Sequence, residues 1–160
     1  DHGKPPPAIE ALALAVEEHA AARDHVLVEG AGGLLVPIDE TCSFADLAKR
    51  LALPLLLVAP DRLGTLSHTL TAFESATARA LPIAAIVLTA LDREPDASTK
   101  SNAEILRRST KLPVLRFAHI PEADANESAN AREPGYDHAL DQKLAAAAEA
   151  SGLVELTLGS

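Results

Sequence analysis

No methionine or tryptophan occurs among the 160 residues, and cysteine and tyrosine occur once each. Each shortage excludes something. With Cys42 alone, no disulfide can form within the chain, and a reducing compartment is the simpler reading. Aromatic residues make up 2% of the chain against 48% hydrophobic residues overall, so the core is built from Leu, Val, Ile and Ala, which suits parallel α/β packing. No apolar run approaches the length of a membrane span, and no basic segment precedes an apolar one as in a signal peptide. These absences point to the cytoplasm. The net charge of −9 leaves no excess of cations for the phosphates of a nucleic acid. The expected partners are therefore neither nucleic acid nor membrane. There is no Gly-x-Ser-x-Gly elbow, which removes the usual hydrolase triad. His2, His19, His25, His119 and His138 show no metal-ligand spacing. A natural translation product begins with methionine, so Asp1 reads as a processed end or a boundary within a longer protein.

What is present alternates. A polar lead-in with Pro5, Pro6 and Pro7 precedes a helix over 8–22, whose Ile9, Leu12, Ala13, Val16 and Ala20 recur at the helical period. Apolar strands are expected at 26–29, 54–59, 83–89 and 114–118. Helices are expected from Ser43 to about Leu51, over 65–80 and over 102–110. Ser43 and Asp46 have the spacing of a capping box, with Asp in place of Glu. The stretch 121–137 is acidic and reads as irregular. An alanine-rich helix over 137–150 stops at Ser151-Gly152, and 153–158 forms a last edge strand or a tail. Strand and helix alternate and the strands are apolar throughout. The fold class is thus α/β, a doubly wound and mostly parallel sheet of about five strands in one domain over 1–160.

One stretch carries chemistry. Val26-Leu27-Val28 runs into Glu29, and Gly30-Ala31-Gly32-Gly33 follows. A buried parallel strand delivers such a carboxylate to the sheet edge where open α/β folds bind ligands. Residues without a Cβ let backbone N–H groups approach an anion closely. Glu29 is therefore a metal ligand or, more plainly, a strand-end acid capping the next turn. Thr65-Leu66-Ser67 opens a helix after Gly64, where N–H groups favour an anion. His68 reads as an ordinary helix residue and Cys42 as a small loop thiol.

Four segments in order resemble the dethiobiotin synthetase family: Val28 to Gly33 with Pro37 behind; Phe44-Ala45-Asp46-Leu47-Ala48; Leu55 to Ala59 with Asp61-Arg62-Leu63-Gly64-Thr65-Leu66-Ser67-His68-Thr69; and Ser101 to Leu106 leading to Leu112-Pro113-Val114-Leu115. The resemblance covers about residues 8 to 121. It implies a P-loop NTPase-like sheet and a homodimer. It also implies closure of a ureido ring on 7,8-diaminononanoate with CO2, ATP and Mg2+ in biotin biosynthesis. By the same resemblance Glu29 sits on Mg2+ and Gly30, Ala31, Gly32 and Gly33 lie beside the phosphate loop. Gly64, Thr65, Leu66 and Ser67 hold the substrate carboxylate, and Thr89 and Pro121 stand on the adenine side.

The chain also departs from that family. No Gly-x-x-x-x-Gly-Lys-Ser/Thr loop occurs, so nothing cradles the phosphates of ATP. Thr89 replaces the family's adenine-reading asparagine, and Arg116 replaces a glycine whose site a guanidinium would crowd. The family's first strand lies between 26–29 and 54–59. Its absence exposes two apolar edges, so the two strands pair directly, another chain supplies the missing strand, or the sequence is a fragment of a longer protein. Two functions are expected. The first is a dethiobiotin synthetase-like ligase that this chain does not complete alone. The alternative is an inactive paralogue that dimerises or scaffolds.

Overall fold

The computed structural model describes residues 8–22, 26–30, 32–90 and 97–117. Their elements run α1 (Ile9–Ala20), α2 (Phe44–Leu51), β1 (Leu55–Pro60), α3 (Thr65–Ala78), β2 (Ile83–Thr89), α4 (Thr99–Thr110) and β3 (Val114–Phe117). The expected acidic stretch over 121–137, the helix over 137–150 and the last strand over 153–158 lie outside the described residues.

The chain divides into two compact units, Asp1–Leu55 with Thr71–Ile83 and Leu56–Leu70 with Ala84–Ser160. In the first, Ala45, Ala76 and Leu81 form a small core, flanked by the partly buried Leu34, Ala48, Leu55 and Ile83. Arg50 of α2 reaches Glu10 and Glu17 of α1 at 2.9 and 3.0 Å. These pairs are exposed and add little to stability, so they set the direction of α1 more than they hold it. In α2 the capping box forms as its spacing implies. The Ser43 N–H and hydroxyl donate to one oxygen of Asp46 at 2.8 and 2.6 Å.

The second unit holds most of a three-stranded sheet of order β1-β2-β3. β2 and β3 are parallel, with Ile86 beside Val114 and Thr89 beside Phe117. The Leu55 N–H to Pro82 O bond and the Asp61 N–H to Thr89 O bond bracket β1 against β2 in the same chain sense. Ala85, Ile86, Val87 and Leu88 are successively buried, which is how a strand reads when both faces of a parallel sheet are covered. Ile86, Leu88, Leu106 and Val114 pack with Ala59 and Ala103, and Leu57, Leu66, Leu70 and Leu112 close around them. Each large side chain buried there contributes roughly 1.5–3 kcal/mol.

α1, β1 and β3 differ from the sequence expectation by one or two residues at their ends, and three further differences have a visible cause. α4 begins at Thr99 instead of 102, because the Ser98 carbonyl already accepts the N–H groups of Ser101 and Asn102, both at 3.1 Å. α3 ends at Ala78 instead of 80, because Ala80 turns to φ +55° and the Leu81 N–H returns to the Ala76 carbonyl. The largest difference is at 26–29, which is not a strand. A strand exists only through a ladder partner, and among the described residues this segment has none. Leu27 is 84% and Val28 37% exposed, and Val58 on β1 is 64% exposed. The described sheet has three strands instead of about five.

Candidate functional site

The glycine-rich turn is shaped by α2. The Phe44 N–H donates to Val36 O at 3.1 Å and the Ala45 N–H to Leu34 O at 2.8 Å, so these first-turn donors of α2 serve the loop instead of an anion. A Cβ on Gly30 would lie 3.1 Å from the Phe44 ring. Gly32 has φ +93°, and a Cβ there would meet Val36 at 3.0 Å. Gly32 is thus required by the fold itself, and a side chain at Gly30 would have to displace the Phe44 ring. Gly33 has open space at the Cβ position and is the one whose missing side chain the protein does not use. Ala31 lies outside the described residues.

Glu29 is exposed within the irregular 26–30 segment. Among the described residues no group of three His, Cys, Asp or Glu side chains could hold a metal. Mg2+ is commonly held by one or two carboxylates together with phosphate oxygens and water. A lone exposed Glu29 fits that pattern only beside a phosphate, and it is not a closed metal site.

Further along, Asp39 builds a tight turn. Its Oδ1 accepts from the Thr41 N–H, the Thr41 hydroxyl and the Cys42 N–H at 2.7, 2.9 and 2.7 Å. The Thr41 N–H holds this carboxyl below its ordinary range, with the Cys42 N–H and Thr41 hydroxyl adding to it. The Ser43 hydroxyl and then the Ser43 N–H do the same for Asp46. An unfolded chain therefore takes up these protons before the folded one as pH falls. The stability they add is complete above the ordinary aspartate value of 3.8 and is lost as pH falls through the lowered folded values. Thermal unfolding between pH 7 and 2.5 should show a midpoint that is flat at first and then falls in acid. The acid slope should be shallower in Asp46→Asn, and an unchanged slope would remove Asp46 from this account.

The second candidate region is the turn from β1 into α3. Gly64 sits at its tip with φ +92°, a conformation that suits glycine. Leu63 beside it is 83% exposed. The Thr65 hydroxyl donates to Pro60 O at 2.6 Å and its N–H to Arg62 O at 3.2 Å. Thr65 is buried, so its hydroxyl braces the turn and is not offered to a ligand. Leu66 is half-buried, and Ser67 and His68 are exposed on the first turn of α3.

Behind this turn lies a polar network that sequence reading did not assemble. Asp61, with 8% of its side chain exposed, receives Asn102 Nδ2 on Oδ1 at 2.8 Å and lies 3.4 Å from Arg116 Nη2 through Oδ2. Asn102 also donates to Arg62 O at 3.4 Å. Arg116 donates to Thr99 O as well. The Asp61 N–H reaches Thr89 O at 2.8 Å, and the Thr89 hydroxyl leans on Ala59 O at 3.4 Å. Arg116 and Thr89, two of the residues that depart from the resembled family, are thus engaged by the protein's own groups. Pro121 lies outside the described residues. The available signal was that Asp61 and Asn102 each fall inside a segment carrying the resemblance.

A parallel sheet flanked by helices, with a glycine turn after an acid, defines an α/β protein of the P-loop NTPase-like class. Residues 7–130 match the family described as an AAA domain, and the chain belongs to that family. It is similar to the ATP-dependent dethiobiotin synthetases BioD of Anaeromyxobacter sp. strain Fw109-5, 45% identical over 69% of this chain, and of Anaeromyxobacter dehalogenans strain 2CP-C, 46% identical over 71%. A third relative of the same description, from Bacillus subtilis strain 168, is 39% identical over 56% of this chain. The chain spans about half the length of the first two and 38% of the third. Among the described residues no helix is long and apolar enough to cross a membrane.

Proposed function

We propose that this chain carries the substrate-carboxylate loop and the metal-side acid of an ATP- and Mg2+-dependent dethiobiotin synthetase, working as a cytoplasmic homodimer in biotin biosynthesis. The observation that carries the reading is the turn Asp61-Arg62-Leu63-Gly64 opening α3, in a segment shared with proteins of that description. Gly64, Thr65, Leu66 and Ser67 form the start of α3, the positive end of a helix, which favours a carboxylate. Glu29 would hold Mg2+, and the metal would neutralise charge on a transferred phosphoryl group. The described residues provide no cradle for the phosphates of ATP. Gly30 and Gly32 are packed on Phe44 and Val36, and no phosphate-loop lysine occurs in the sequence.

The carboxylate half of the site is therefore the half this chain can exhibit unaided. Calorimetry should show micromolar binding of 7,8-diaminononanoate, with nonane-2,3-diamine, which has a methyl group in place of the carboxylate, binding at least about tenfold more weakly. Mg-ATP should not bind this chain alone at micromolar concentration. Equal binding of acid and diamine would defeat the carboxylate reading, and no binding of either would favour an interaction scaffold.

A further inference from the structure

We propose that Asn102 is a positioning residue, which sets the turn that presents the α3 N–H groups to a carboxylate; this rests on the reading of Gly64 to Ser67 given above. The turn leaves β1 and must reverse into α3 with Gly64 at φ +92°. A turn with an 83%-exposed leucine at its tip has little packing of its own to set its shape. The Thr65 hydroxyl braces it from within on Pro60 O, and a second brace comes from behind. Asn102, only 2% exposed, uses a single amide nitrogen to hold two consecutive residues of the turn, Asp61 by its carboxylate at 2.8 Å and Arg62 by its carbonyl at 3.4 Å. The Arg62 carbonyl is also the acceptor for the Thr65 N–H, the first residue of α3. Asn102 therefore acts on the helix start through one shared oxygen.

The chemistry selects an amide at this position. An acid in place of Asn102 would set two carboxylates against each other, and an alkyl group would leave a nearly buried Asp61 oxygen and the Arg62 carbonyl without that donor. The Asp61 charge itself would repel an anionic ligand at the neighbouring helix start. Arg116, 3.4 Å away and also anchored on Thr99 O, offsets that charge. Asn102 is uncharged, so its removal tests positioning without changing the net charge beside the site.

The test compares 7,8-diaminononanoate with nonane-2,3-diamine by calorimetry on this chain and on Asn102→Ala. The expected result is that the preference for the acid, about tenfold or more in the wild type, falls to about twofold or less while the diamine binds as before. Equal weakening of both ligands, or an unchanged preference, would overturn the proposal, because a purely structural role moves both together. Amide hydrogen exchange without ligand is the second readout. Residues 62–66 should exchange at least about tenfold faster in Asn102→Ala, with 85–88 unchanged. If the wild type binds neither compound, the carboxylate reading fails and the exchange result alone decides the positioning role; unaltered exchange at 62–66 would overturn it. If Asn102→Ala does not fold, Asn102→Gln, which keeps the amide one methylene further out, carries the same comparisons.

Discussion

Leu106→Ala is expected to lower the free energy of unfolding by about 3 kcal/mol, the middle of the range for truncating a fully buried leucine. Leu106 is 0% exposed and packs with Ala59, Ile86, Leu88, Ala103 and Val114. Its neighbours come from all three strands, so the cavity cannot be closed by moving one element. The scarcity of large side chains sharpens the effect. With Ala59 and Ala103 already small, no aromatic ring in this cluster can swing in to fill the void. The chain has no tryptophan, so urea unfolding is best followed by far-ultraviolet circular dichroism. A loss below about 1 kcal/mol would mean that α4 is not seated on the sheet as described. Because α4 also carries Asn102, the variant should in addition loosen the Asp61 turn.

Gly32→Val is expected to cost about 3 kcal/mol, whereas Gly33→Ala, one residue away, should change stability by less than about 0.5 kcal/mol. Gly32 stands at φ +93°, where a β-branched residue is strained, and its new Cβ would meet Val36 at 3.0 Å. Gly33 has neither constraint. The contrast separates two explanations of a glycine-rich turn that sequence alone cannot separate. If the turn existed chiefly to approach a phosphate, both changes would leave stability intact and impair binding. The geometry assigns Gly32 to the fold and leaves Gly33 unconstrained and available for a close backbone approach. Paired denaturation curves decide between them, and equal stability of the two variants would refute the assignment.

Much of this was legible in the sequence. β1, β2 and β3 lie where uninterrupted apolar runs placed them, because strands covered on both faces need no alternation. The Ser43–Asp46 cap depends on residues three apart and follows from spacing alone. The resemblance to dethiobiotin synthetases, read from four short segments, agrees with relatives of that description at 45% and 46% identity. The segment at 26–29 differs from its sequence pattern for a physical reason. Its apolar residues satisfy a strand pattern, but hydrogen bonding to a neighbour makes the strand, and a pattern does not contain the neighbour. The Thr65 hydroxyl was likewise unreadable. Its type suits a ligand donor, and only the path of the chain brings Pro60 O within 2.6 Å of it.

The glycine turn after Glu29, the helix start after Gly64 and the family follow from local order in the sequence, since each depends on neighbours a few residues apart. The partners of the two departures, Thr89 and Arg116, were decided by tertiary structure. Asp61 meets Asn102 across 41 residues and Arg116 lies still further along the chain, so no local spacing relates them. The parallel sheet brings the ends of β1, β2 and β3 to one edge, and only there do a carboxylate, an amide and a guanidinium become one network.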